Sequence, residues 1–86
     1  MYVVTRIWQV KDTLEYDGMN VVGICYTKKA AMRLLQETIK FCQSIGYFLS
    51  DEYYPKPFDK DFEAEVWMKD SESIAIITIK EAEIVI

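Results

Sequence analysis

The chain has 86 residues, of which 51% are hydrophobic and 28% charged, and its net charge is −4. That length makes one domain, residues 1–86, and so apolar a composition excludes a disordered chain. The acidity disfavours non-specific attachment to nucleic acid or an anionic membrane, and the absence of histidine removes the commonest general base and zinc ligand.

Tyr2 to Val10 is rich in β-branched and aromatic residues and reads as a strand. Asp17-Gly18 is a turn signal. Asn20 to Tyr26 reads as a second strand, antiparallel to the first, and Gly23 inside it suggests a bulge or a close backbone approach. Thr27 is placed to cap a helix running from Lys28 to about Ile45. At 100° per residue, Ala31, Leu34, Leu35, Thr38, Cys42 and Ile45 share one face, with Met32, Ile39 and Phe41 at its margins. Lys29, Arg33, Gln36 and Lys40 lie opposite, and Gly46 suits the left-handed position that ends a helix.

Gly46 to Lys60 has no clear periodicity. Five of the twelve aromatics fall between Gly46 and Phe58, together with Pro55 and Pro57, which stiffen the segment. Phe48, Leu49 and Phe58 suit one end of a core, and Tyr53 and Tyr54 suit a binding surface. Asp61 to Lys69 alternates strictly, with Val66 and Met68 on one side and Glu63, Glu65, Trp67 and Lys69 on the other. Asp70-Ser71-Glu72-Ser73 is a turn, and Ile74 to Lys80 is a further strand. Residues 81–86 either extend it or add a short edge strand.

The expected fold is α+β with element order β-β-α-β-β: one amphipathic helix packed on one face of a four- to five-stranded antiparallel sheet. The expected core is Val3, Ile7, Leu34, Leu35, Thr38, Cys42, Val66, Met68, Ile77 and Ile79. One helix leaves the other sheet face open. On the first strand Tyr2, Val4, Arg6 and Trp8 share that outer face, and Trp67 and Lys69 join them from the third. Tyr2, Arg6, Trp8, Tyr53, Tyr54, Trp67 and Lys69 are therefore the expected partner-binding residues.

Nothing in the sequence marks an enzyme. It has no P-loop, no GxGxxG and no nucleophile elbow. Glu63 and Glu65 share a strand face, where a solvated polar surface is the plainer account of them. Cys25 and Cys42 each lie in an apolar run and read as free, buried thiols of a reducing compartment. No cofactor or metal site is indicated. The N-terminus lacks an apolar targeting segment and no run reaches the ~20 residues that span a bilayer, so a cytoplasmic location is expected.

The stretches Tyr2-Val3-Val4-Thr5 and Val21-Val22-Gly23-Ile24-Cys25-Tyr26-Thr27-Lys28-Lys29-Ala30-Ala31, with the acidic ending Ile79-Lys80-Glu81-Ala82-Glu83-Ile84, resemble a group of small bacterial and phage ββαββ proteins of unknown function. The resemblance implies a phage or mobile-element setting and transfers no functional residue. The function expected is a non-enzymatic protein-interaction module, in its sharper form one that binds and blocks a host protein, with homodimerisation as a further expectation. The alternative is a single-stranded nucleic-acid binder that stacks bases on an aromatic and basic sheet face.

Overall fold

A computed structural model describes residues 1–10, 16–50 and 63–82. In chain order the elements are β1 (Tyr2–Val10), β2 (Tyr16–Cys25), α1 (Lys28–Ser44), β3 (Phe48–Leu49), β4 (Ala64–Lys69) and β5 (Ser73–Glu81). The fold is α+β, as the hydrophobic pattern predicts. The five strands form one antiparallel sheet in the order β2-β1-β5-β4-β3. The fifth strand is Phe48–Leu49, inside the segment without periodicity. Residues 83–86 lie outside the described residues.

α1 begins and ends as its sequence dictates. The Thr27 side chain accepts a hydrogen bond from the Ala30 N–H at 3.1 Å, satisfying a first-turn donor. At the other end Gly46 takes φ +100°, which glycine adopts without Cβ strain. The Gly46 N–H then donates to the Gln43 carbonyl (3.2 Å) and the Tyr47 N–H to the Cys42 carbonyl (3.0 Å). This paired closure turns the chain back beneath the helix.

The helix leaves from edge strand β2 and ends beside edge strand β3, so it crosses the sheet. Its 17 residues span about 26 Å, enough to pass over five strands spaced about 4.8 Å apart. Ala31, Leu35, Thr38, Ile39 and Cys42 are buried beneath it. Below them lie Val4 of β1, Met68 of β4 and Ala75, Ile77 and Ile79 of β5, with Tyr2, Trp8, Val22, Cys25, Leu34 and Val66 packed around.

Two features of that core correct the sequence-based expectation. On β1 the helix-facing residues are Tyr2, Val4, Arg6 and Trp8, so Val3 and Ile7 point the other way. Leu34 and Ile45 sit at the margin of the helix face, and Ile45 is exposed. The second feature is a separate buried cluster of Ile7, Trp67, Ile74 and Ile76 on the face away from the helix. That face is not open along the centre of the sheet. The reason lies in β5, whose Ile74-Ala75-Ile76-Ile77-Thr78-Ile79 is buried at every position. A continuous apolar run of this kind marks a central strand covered on both sides. The Thr5 and Thr78 hydroxyls hydrogen-bond to each other across the β1–β5 pair on this second face.

β2 carries two bulges against β1. Val4 pairs with Gly23 and Thr5 with Val21, leaving Val22 extra; Trp8 pairs with Gly18 and Gln9 with Tyr16, leaving Asp17 extra. Asp17-Gly18 is thus part of a strand and not a turn, because a bulge absorbs the residue that would have ended it. The bulge at Val22 places Val22 and Gly23 in succession on the helix side. A Cβ on Gly23 would lie 2.6 Å from Leu34 Cδ2, so the close approach expected at this glycine is present.

The β4–β5 turn is built on Asp70. Its Oδ1 accepts from the Glu72 N–H at 2.8 Å and the Ser73 N–H at 2.7 Å, and these bonds hold its carboxyl below the ordinary range. A depressed folded pKa contributes stability above the unfolded value, about 3.8 to 4, and loses it as pH falls through the folded value. Asp70→Ala is expected to cost about 0.5–1 kcal/mol at pH 7, allowing for solvent screening of an exposed turn. Urea unfolding of both proteins should show that difference shrinking as the pH is taken below the folded pKa. A difference that is unchanged at low pH would show that the charge has no part in the turn.

Candidate functional site

The residues expected to share an open face are divided by the sheet. Tyr2, Arg6 and Trp8 lie under α1, and Trp67 and Lys69 lie on the opposite face. The pattern of β1 was ambiguous because both of its alternating sets are apolar enough to be buried. Aromatic partners decide between them. Trp8 meets Tyr47 with ring centroids 5.3 Å apart and tilted by 55°, and the Arg6 guanidinium lies over Trp8 and Phe41. Trp67 is only 3% exposed, and its Nε1–H donates to Glu65 Oε1 at 3.0 Å. A tryptophan so covered offers no ring to a partner. Tyr53 and Tyr54 lie outside the described residues.

Lys69 stands over the Phe48 ring at 5.8 Å, at the short β3 edge. Phe48 and Leu49 remain about half exposed, so they do not close the core. Tyr47 does so instead: it packs against the core, and its hydroxyl hydrogen-bonds with that of Ser73. Glu63 and Glu65, which share a strand face, are separately engaged. Glu65 accepts from Trp67, and Glu63 approaches Lys28 Nζ at 3.6 Å. Cys25 and Cys42 are both free thiols, Cys25 half-buried and Cys42 buried. Burial pushes the Cys42 thiol up, against the smaller opposing pull of the neighbouring Arg6. It stays a neutral thiol near pH 7, the unreactive form.

What the structure does expose is the β2 edge. β2 is hydrogen-bonded to β1 on one side and to no described strand on the other. On its face away from the helix stand Met19, Val21 and Ile24, each exposed by half or more, opposite Ile7, Thr5 and Val3 of β1. Tyr26, at the exit of the strand, is 85% exposed. The bulge at Val22 keeps Ile24 on this face although it is three residues from Val21. A strict two-residue period would have turned it under the helix.

No family model, curated protein or solved structure matches the chain. Among the described residues no helix is long and apolar enough to cross a membrane.

The β2 surface was missed in the sequence for a definable reason. Nothing local distinguishes an edge strand from an inner one when the pairing that decides it, β1 with β5, joins opposite ends of the chain. The available signal was the composition of the strand itself, since Tyr16–Cys25 contains no lysine, arginine or proline, the residues that usually guard an edge.

Proposed function

We propose that this protein is a small, non-enzymatic, cytoplasmic interaction module that recognises another polypeptide by adding a strand of it to the β2 edge. One observation carries the reading: an edge strand without lysine, arginine or proline displays Met19, Val21 and Ile24 on one face. Added strands gain affinity from main-chain hydrogen bonds and specificity from alternate side chains. The two bulges break β2 into the short regular stretches Gly18–Val21 and Gly23–Cys25, so apolar contact with Val21, Ile24 and Tyr26 supplies the remaining area. The resemblance of the opening to small phage proteins supports the sharper form, in which the partner is a host protein that the chain blocks. A second copy of the chain is the other polypeptide with such an edge to offer.

The alternative of a single-stranded nucleic-acid binder needed Trp8, Trp67, Arg6 and Lys69 on one face. Their division between two faces removes that stacking platform, and the net charge of −4 weakens the phosphate term on which such binding depends.

The test is the double substitution Val21→Lys with Ile24→Lys. Both side chains are already exposed, so folding should change by no more than about 0.5 kcal/mol per site. Wild type should retain a specific protein from a host lysate, or self-associate over a tenfold concentration range in the ultracentrifuge, and the double variant should do neither. Association that survives both lysines would place the contact elsewhere.

A further inference from the structure

Arg6 is held under the C-terminal half of α1 with aromatic rings against it. Its guanidinium carbon lies 4.6 Å from the Trp8 ring centroid and 5.2 Å from that of Phe41. Stacking of this kind occupies the faces of the ion and leaves its in-plane N–H donors for hydrogen bonding. Part of that capacity goes to the Cys42 thiol, towards which the guanidinium donates. Arg6 Nε is buried without a hydrogen-bond partner, and neither Arg6 nor Glu37 has an ion-pair partner among the described residues. Cys42 is beside the guanidinium, but as a neutral thiol it supplies no counter-charge. A cation half removed from water and left without an anion is costly unless something else answers it.

Beside Arg6 lies an open pocket of about 280 Å³, lined by Arg6, Val22, Glu37, Thr38 and Phe41. Its walls are largely apolar, with one fixed cation and one carboxylate. The Thr38 hydroxyl donates to the Leu34 carbonyl at 2.8 Å, leaving its oxygen lone pairs to accept. The volume is near the lower end of small-ligand sites and fits one residue-sized molecule. A simple carboxylate would satisfy Arg6 but bring a second negative charge towards Glu37. A molecule with both charges satisfies both walls.

We propose that this pocket binds a free α-amino acid with an apolar side chain. The carboxylate lies in the plane of the Arg6 guanidinium, where paired N–H donors match its two oxygens. The ammonium group faces Glu37 and the Thr38 hydroxyl, and the side chain rests on Val22 and Phe41. The site lies on the helix side of the sheet, and its occupancy does not depend on the use of the β2 edge.

Calorimetric titration with L-leucine and L-phenylalanine, paired with amide and arginine-Nε NMR shifts, tests it. Nα-acetyl-L-leucine, which lacks the ammonium charge, and L-leucine amide, which lacks the carboxylate, are the controls. Saturable binding of a free amino acid is expected, with shifts at Arg6 Nε, Val22 and Thr38, and with each derivative weaker by about tenfold, the effect of one lost charge-assisted hydrogen bond. Glu37→Gln, a change on the exposed helix surface that leaves folding intact, should weaken the free amino acid by about tenfold and the acetylated one hardly at all. Arg6→Met should abolish both. No saturation by about 10 mM, tenfold above a millimolar affinity, would overturn the proposal. So would equal binding of the free amino acid and its two derivatives, or indifference to Glu37→Gln.

Discussion

Replacing Trp67 by alanine is expected to destabilise the protein by about 3–5 kcal/mol, the usual cost of deleting a buried tryptophan. The ring is 3% exposed and joins Ile7, Ile74 and Ile76 in the cluster away from the helix. Its removal also strips Glu65 of the indole N–H that donates to it. Such a loss is a large share of the 5–15 kcal/mol by which domains of this size are stable. Chemical denaturation followed by far-ultraviolet circular dichroism measures it without relying on tryptophan fluorescence. An unchanged midpoint would mean that this face of the sheet is open after all.

The same measurement applied to Leu35→Ala should give about 2–5 kcal/mol. Leu35 is 2% exposed at the middle of the α1 face, over the sheet centre where Val4, Ile77 and Ile79 lie. The cavity left there is walled by the rigid β1–β5 pair, which limits its collapse and favours the upper half of the range. Leu34, one position away and only partly buried, should cost clearly less when truncated. If the two substitutions cost the same, the rotation of the helix about its axis differs from that described.

These two positions show where the sequence was readable. The helix was legible in its extent, cap and closing glycine because its amphipathic period is local and long, but its buried face is turned slightly from the expected one, with Ile39 buried and Ile45 exposed. The turn at Asp70 and the helix-facing side of β4, Val66 and Met68, were legible for similar reasons, whereas Trp67 between them, expected on an open face, is buried. β1 was not legible in its facing, since Val3, Thr5 and Ile7 are as suitable for burial as Tyr2, Val4 and Trp8. The phase of β1 is set by rings it meets from Phe41 and Tyr47, far along the chain. The burial of β5 on both sides was written in its unbroken apolar run. It conflicted with the expectation that a single helix covers a single face, and the run was the better guide. β3 is two residues long and shorter than any periodicity.

The pairing of β1 with β5 also constrains the order in which the molecule can assemble. Thr5 and Thr78, 73 positions apart, hydrogen-bond across the centre of the sheet. On the ribosome the β1–β2 pair and the helix are made before β5, the strand that completes their shared core. Until then Val4, Leu35 and Cys42 have no β5 against which to pack. Folding therefore waits on a long-range closure, which is slow compared with local hairpin and helix formation. The nascent ββα portion is a surface that chaperones can hold and that aggregation can claim. A chain cut short before β5 should accumulate as insoluble material, not as a smaller folded domain.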